Sequence, residues 1–194
     1  DPLWSRGLGD VYKRQVQQCC PRGEGAAAVL LVSGQALARL GLDPKRCVRV
    51  HASAANSERD ETRYGEGPID LVRDSARAAL EQAGIGATEL DLLELHDAFS
   101  VEELLYSEAV GVCQPGEGAA YLERGDSRIG GRCAINASGG LIGMGHPLGP
   151  TGIGQVAEIV RQIRGEAEGR QHPAARWGCL LYTSDAADEG LGVD

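Results

Sequence analysis

The stretch INASGGLIGMGHPLGPTGIG, Ile135 to Gly154, places seven glycines and two prolines around a single histidine, His146. Two kinds of chemistry use such a loop: cradling a phosphate on backbone N–H groups, or holding an imidazole against a small substrate. A phosphate-binding P-loop needs G-x-x-x-x-G-K-[ST], and no lysine follows any of these glycines. A dinucleotide loop needs G-x-G-x-x-G, whereas Gly143, Gly145 and Gly149 give G-x-G-x-x-x-G with His-Pro inside it. Pro147 pushes His146 away from helical geometry, fixes its own φ and donates no N–H. The loop therefore has flexible arms and a stiff centre that carries the imidazole. That arrangement suits a base, although composition alone leaves a plain structural turn equally open. A second histidine, His96, sits in ELHDAF at the end of an apolar run, where its type and place suit a strand-end side chain satisfied by Asp97 or backbone.

The elements that must position these residues alternate along the chain. GAAAVLLVS (Gly25 to Ser33) and CVRVHAS (Cys47 to Ser53) read as strands, with the helix GQALARLGL between them, ended by Gly41. Ile69, Val72, Ala76, Ala79, Leu80 and Ala83 recur at helical spacing, with Gly84 as the stop. LDLLELHDAF is strand-like through Leu95. SVEELLYSEAVGV predicts a helix with Ser100 as N-cap and Glu103 closing a capping box. A strand in GRCAINA and an amphipathic helix from Thr151 to Arg164 follow. Strands are expected near 26–32, 47–53, 91–96 and 132–136, in one layered α/β unit. With a single phenylalanine, Phe99, the core is expected to rely on close helix–sheet packing through Ala and Gly.

The ends read differently. SRGLGDVYKRQ (Ser5 to Gln15) and CLLYTSDAADE (Cys179 to Glu189) resemble translations of the adapter used in transposase-based sequencing libraries, read on opposite strands. Residues 1–15 and 179–194 are therefore expected to be non-native, leaving Val16 to Gly178 as the biological sequence. The whole chain carries a net charge of −9, of which the last sixteen residues supply −4 and the first fifteen +1, so the middle carries −6. Such a balance, without a Lys/Arg cluster, argues against nucleic-acid binding. No apolar run approaches a membrane span, and no secretory h-region is present. The cysteines outside the tail (Cys19, Cys20, Cys47, Cys113, Cys133) are odd in number and lack C-x-x-C spacing, so neither a disulfide framework nor a zinc site is favoured, and no metal is expected. A reducing, cytoplasmic compartment is the default.

NASGGLIGMGHPLGPTG resembles the thiolase signature of Asn-x-x-Gly-Gly, then Gly-His-Pro, then Gly-x-[Ser/Thr]-Gly. ELHDAF stands where most thiolases have Asn-Glu-Ala-Phe, and its His-Asp is similar to the sterol-carrier-protein type of that family. GEGAAAVLLVS resembles the last strand of the family's N-terminal half. The resemblance implies a layered αβαβα fold, with residues 16–50 closing the N-terminal half and 51–178 forming a truncated C-terminal domain. It implies Claisen-type acyl transfer on coenzyme A thioesters, with CoA as part of the substrate rather than a bound cofactor. His146 then draws the proton from a nucleophilic cysteine, and His96 donates to the thioester oxygen alongside it. Phe99 lines the acyl or pantetheine tunnel or is plain core; Met144 and Gly145 flank the substrate. The nucleophilic cysteine of the family lies upstream of Val16, a position that neither Cys19 nor Cys20 fits. Where sterol-carrier-type relatives read His-Asp-Cys-Phe, this chain has Ala98, and the second acid/base is missing. Three readings follow: an acyltransferase, inactive as this piece alone; a thiolase-like retro-aldolase, against which His146 counts; and a non-catalytic acyl-CoA-binding subunit paired with an OB-fold protein. A homodimer or higher oligomer is expected at full length.

Overall fold

The computed structural model describes residues 17–57 and 68–183. The segment 1–15 and most of 179–194 thus lie outside the described residues. The described elements run in the order α1 (Gly34–Arg39), α2 (Pro68–Ala83), β1 (Leu92–Glu94), α3 (Ser100–Val110), α4 (Gly118–Glu123), β2 (Ala134–Ile135), α5 (Gly140–Met144), α6 (Thr151–Arg164) and β3 (Gly178–Leu180), with short 3-10 turns between them. The three strands form a parallel sheet in the order β2-β1-β3. Leu92 pairs with Ala134 on one side and with Gly178 on the other. This is the expected α/β fold with a thiolase-like parallel sheet.

The register of β1 decides what faces what. Successive side chains of a strand point to opposite faces. Leu93 and Leu95, both fully buried, join Val72 and Ala76 of α2 and Tyr106 and Val110 of α3 in one core. Leu92 lies on the other face with Ala134, Ala175 and Ile163 of α6. Helices thus cover both faces, as a parallel sheet requires. Glu94 shares the parity of Leu92, which turns it toward the α6 side. The mouth of β1 continues this pattern, because the buried Gln155 of α6 donates from Nε2 to the Leu95 carbonyl at 2.9 Å.

Several local expectations are corrected. The cap of α3 falls one residue early: the Phe99 N–H donates to Glu102 Oε2 at 2.8 Å, so Phe99 and Glu102, not Ser100 and Glu103, close the start. The runs 26–32 and 47–53 form no ladder among the described residues. Leu30 and Leu31 are 82% and 81% exposed, and Val50 is also largely exposed. A strand needs a partner edge for its amides and a layer over its side chains. The run around Ser53 is held by side chains rather than a strand edge, with the Ser53 N–H donating to Gln82 Oε1 and His51 packing against Trp177. The core carries more leucine and tyrosine than Ala/Gly packing would need, with Leu92, Leu93, Leu95 and Leu141 all deeply buried. Whatever their origin, residues 178–183 add β3 and Leu181, whose N–H donates to the Glu94 carbonyl, just after the Arg176 and Trp177 N–H groups that donate to Asp91 Oδ2. Among the described residues no helix is long and apolar enough to cross a membrane.

Candidate functional site

His96 lies two residues past the end of β1, and the glycine-rich loop between β2 and α6 carries His146. Both imidazoles are buried, and their Nε2 atoms lie 3.3 Å apart with the rings near perpendicular. Two residues fifty positions apart in sequence therefore share one point in space.

The hydrogen-bond chain assigns their protons. Thr151, at the start of α6, donates its hydroxyl to the Pro147 carbonyl at 2.8 Å, so toward His146 its oxygen can only accept. His146 Nδ1 lies 2.9 Å from that oxygen, and the tautomer that satisfies both contacts of Thr151 has the proton on Nδ1. Its Nε2 is left with a lone pair. His96 Nε2 donating to it is the complementary arrangement, while the 2.9 Å contact of His96 Nδ1 with the Thr183 hydroxyl comes from the segment read above as non-native and carries no part of the assignment. The two rings are thus set as a base and a donor facing the same space. Tyr182 packs edge-on against His96 and donates its hydroxyl to the Leu148 carbonyl.

The loop around His146 is shaped by glycine where nothing else fits. Gly145 has a φ of 88°, and its N–H donates to the Leu141 carbonyl to close the single turn of α5. Gly140 has a φ of 62°, and a Cβ there would lie 2.7 Å from Asp97 Oδ1. The turn is anchored to β1 by carboxylates. Glu94 accepts from the Ser138 hydroxyl at 2.6 Å and from the Ser138 N–H at 3.1 Å. Burial pushes the Glu94 carboxyl up to about 7, a rise the two Ser138 bonds oppose and the nearby Glu158 and Asp97 carboxylates reinforce. Asp97 is also raised by burial, against the bonds it accepts. It does not satisfy His96, as the strand-end reading had it: its carboxylate accepts from the Leu141 and Ile142 N–H groups instead.

The remaining sequence candidates are spread around this pair. Phe99 is 51% exposed, so it is not core; Met144 is 46% exposed at the end of α5. Gln18 to Arg22 runs beside both histidine loops: Cys20 N–H donates to the Ala98 carbonyl at 2.8 Å, and His146 N–H donates to the Pro21 carbonyl at 2.9 Å. Reading the cysteines by sequence position gave no sign of that proximity. Burial raises the Cys133 and Cys179 thiols to about 12 and about 11, which removes them as thiolate nucleophiles. Among the described residues no group of three or more His, Cys, Asp or Glu is placed to hold a metal ion. Sequence reasoning missed Thr151, although it is the [Ser/Thr] of the glycine signature, and missed the anchoring by Glu94 and Asp97, which no spacing rule announces.

A family model described as Thiolase C-terminal domain-like matches residues 55–186. The chain belongs to that family. Its thiolase relatives include Sterol carrier protein 2 of Rattus norvegicus, 43% identical over 166 residues that cover 83% of this chain and 30% of the rat protein. The Acetyl-CoA acetyltransferase of Methanothermobacter thermautotrophicus is 41% identical, over 82% of this chain and 42% of its own length. The Benzoylsuccinyl-CoA thiolase subunit BbsB of Thauera aromatica is 38% identical, over 80% and 40%. Among solved structures, the Ltp2-ChsH2(DUF35) aldolase matches with a TM-score of 0.52 and 26% identity, over 57% of this chain and 28% of that one. The chain spans well under half the length of each of these relatives.

Proposed function

We propose that this thiolase-family chain carries the base and the oxyanion donor for Claisen-type acyl transfer on coenzyme A thioesters, the condensation or thiolysis of a 3-ketoacyl-CoA. The observation that carries the reading is the buried 3.3 Å approach of the two Nε2 atoms, one on each histidine. His146 Nε2 takes the proton of a cysteine thiol, the thiolate adds to the thioester carbonyl, and His96 Nε2–H donates to the oxygen as it gains charge. Collapse of that intermediate expels CoA thiolate, which recovers a proton from the His146 imidazolium. A thiol near its ordinary pKa is mostly protonated at neutral pH and needs such a base.

The relatives' names support the same class, since two are a CoA thiolase subunit and an acetyl-CoA acetyltransferase. Phe99, Met144 and Gly145 are proposed to line the path of the acyl or pantetheine chain, a role their position beside the histidines and the exposure of Phe99 and Met144 allow. CoA enters as substrate, and no resident cofactor is invoked. The nucleophilic cysteine belongs to the part of the enzyme that precedes this chain, and residues 1–15 and 179–194 are proposed to be adapter-derived. At full length we propose a cytoplasmic homodimer or higher oligomer. Pairing with an OB-fold partner belongs to the alternative reading as a binding subunit. The aldolase name of the structural match favours retro-aldol cleavage as a second reading of the same site. His146 favours acyl transfer.

The test follows cleavage of acetoacetyl-CoA by free CoA. Residues 16–178 alone should show no turnover. In the full-length enzyme, His146→Ala should nearly abolish the rate, and His96→Ala should lower it by roughly a hundredfold or more, the loss of one oxyanion donor, about 3–4 kcal/mol at most. A full-length His146→Ala enzyme running at the wild-type rate would sink the base assignment and leave the glycine loop as a turn.

A further inference from the structure

Asp97 follows His96 directly, is 3% exposed, and directs its carboxylate to the other histidine's loop. Oδ1 accepts from the Leu141 N–H at 2.7 Å and Oδ2 from the Ile142 N–H at 3.4 Å. Leu141 in turn offers its carbonyl to the Gly145 N–H, and His146 is the next residue. One helical turn, α5, is therefore the whole mechanical distance between the Asp97 carboxylate and the His146 backbone. On the other side a single peptide bond separates Asp97 from His96. Gly140 is required at the contact, because any side chain there would press on both carboxylate oxygens.

The remaining links between the loops are weaker constraints on ring position. Glu94 holds Ser138, two residues before Gly140 and on the far side of that glycine pair. The segment 18–22 touches both loops, with the Cys20 N–H donating to the Ala98 carbonyl and the His146 N–H to the Pro21 carbonyl. Among the described residues, Asp97 ties a side chain adjacent to one imidazole to the turn that ends in the other, while Tyr182, edge-on to the His96 ring, reaches the Leu148 carbonyl beyond His146. An acidic side chain accepting from first-turn amides is itself a stable pairing, so the clamp needs no ligand to hold it.

We infer that Asp97 is the positioning residue for the histidine pair: its carboxylate sets the separation of the His96 and His146 rings through α5. The catalytic meaning of that separation rests on the acyl-transfer reading above; the separation itself does not. In that reading a base displaced by about 1 Å costs on the order of a hundredfold in rate.

The experiment reads the rings without substrate, from long-range proton–nitrogen correlations of the imidazoles in the 15N-labelled 194-residue chain. Wild type should show His146 protonated at Nδ1 and His96 at Nε2, with ring-to-ring cross-relaxation between them. Asp97→Asn keeps the volume and the Leu141 bond but sets an amide donor against the Ile142 N–H. It should shift the His96 and His146 signals and weaken their cross-relaxation, and Asp97→Ala should do so further. His172, whose Nδ1 accepts from the Gly130 N–H away from this turn, should not move. A folded Asp97→Asn chain with both imidazoles at their wild-type positions overturns the inference, whether or not Asp97→Ala folds. General movement of all histidines, His172 included, overturns it as well, since that marks global loosening. Failure of the acyl-transfer reading would appear elsewhere, as a full-length enzyme with an intact histidine pair and no thiolysis.

Discussion

Residues 94–97 with 135–151, and residues 26–53, are both rich in the types that build strands and tight loops, yet they end in opposite conditions. In the first region nearly every polar group has a specific partner: Glu94 on Ser138, Asp97 on Leu141 and Ile142, Asn136 Oδ1 on the Leu95 N–H, and His146 on Thr151 and His96. In the second, the apolar run Val29, Leu30 and Leu31 stands in solvent, and the extended segment from Cys47 is held near α2 by Ser53 on Gln82 and Asn56 on Ser75. The difference lies in what each region needs from elsewhere. The histidine loops are completed by β1 and α6, which the chain contains. A β-rich apolar run is completed only by a neighbouring edge and a covering layer. High strand propensity alone does not substitute for them.

Core truncation should separate the regions most. Leu93 is fully buried between α2 and α3. Leu93→Ala should destabilise the chain by about 2–5 kcal/mol, the usual range for a leucine cavity, seen as a lower urea midpoint at unchanged m-value. A loss below 1 kcal/mol would show that this core is as loosely held as the outer segment.

The buried carboxylates give the comparison a pH axis. Glu94 has its folded pKa raised from 4.5 to about 7, chiefly by burial. A raised acid contributes stability fully below its unfolded pKa, and that contribution is lost as pH rises through the folded pKa. The wild type should therefore lose about 3 kcal/mol relative to Glu94→Gln between roughly pH 4.5 and pH 7, at 1.36 kcal/mol per pKa unit. Parallel stability–pH curves for the two proteins would show that Glu94 is ionised in the fold at little cost.

Most of the architecture that positions the site is legible from sequence, and the reasons are local. Helix α6 begins at Thr151 and ends at Arg164, as its amphipathic repeat dictates, and α2 stops at Gly84, whose φ of 72° no other residue adopts as cheaply. The convergence of His96 and His146 follows from the family resemblance, since no periodicity links positions fifty residues apart. Sequence adjacency leaves Asp97 or backbone open as partners for His96 beside the donor role that the resemblance implies. Both residues lie past the end of β1, and the Asp97 carboxylate accepts from the Leu141 and Ile142 amides of α5 instead. The short helix α5 was hidden because its five residues contain two glycines, which depress helix propensity. The strands at 26–32 and 47–53 were over-read, because their residues report suitability for a sheet and nothing about whether an edge is present.

Thr151 tests the histidine region at finer grain. Its hydroxyl is the acceptor for His146 Nδ1–H, and the residue is 2% exposed. Thr151→Val keeps the shape and leaves that N–H without its partner. The cost should be about 1–3 kcal/mol, the desolvation penalty of one buried donor, measured by denaturant titration. A neutral result would mean that the ring turns its proton elsewhere, and the assignment of Nε2 as the basic nitrogen would fall with it.

The smallest effect is expected where the sequence looks most like core. Leu30 and Leu31 sit in GAAAVLLVS, and hydropathy alone marks them as interior positions. Their side chains are more than four-fifths exposed, so truncation removes little area from contact with protein. Burying a leucine is worth about 1.5–3 kcal/mol, and that sum is absent when nothing covers it. Leu31→Ser should therefore change the stability of this chain by less than about 0.5 kcal/mol, the range for exposed positions away from special features. Exposed apolar runs also drive association, so the same substitution should raise the concentration at which the chain stays monodisperse by light scattering. A destabilisation above 1 kcal/mol would show that the run is covered in solution, by this chain or by a second copy. The contrast between the two regions would then narrow to a difference in hydrogen bonding alone.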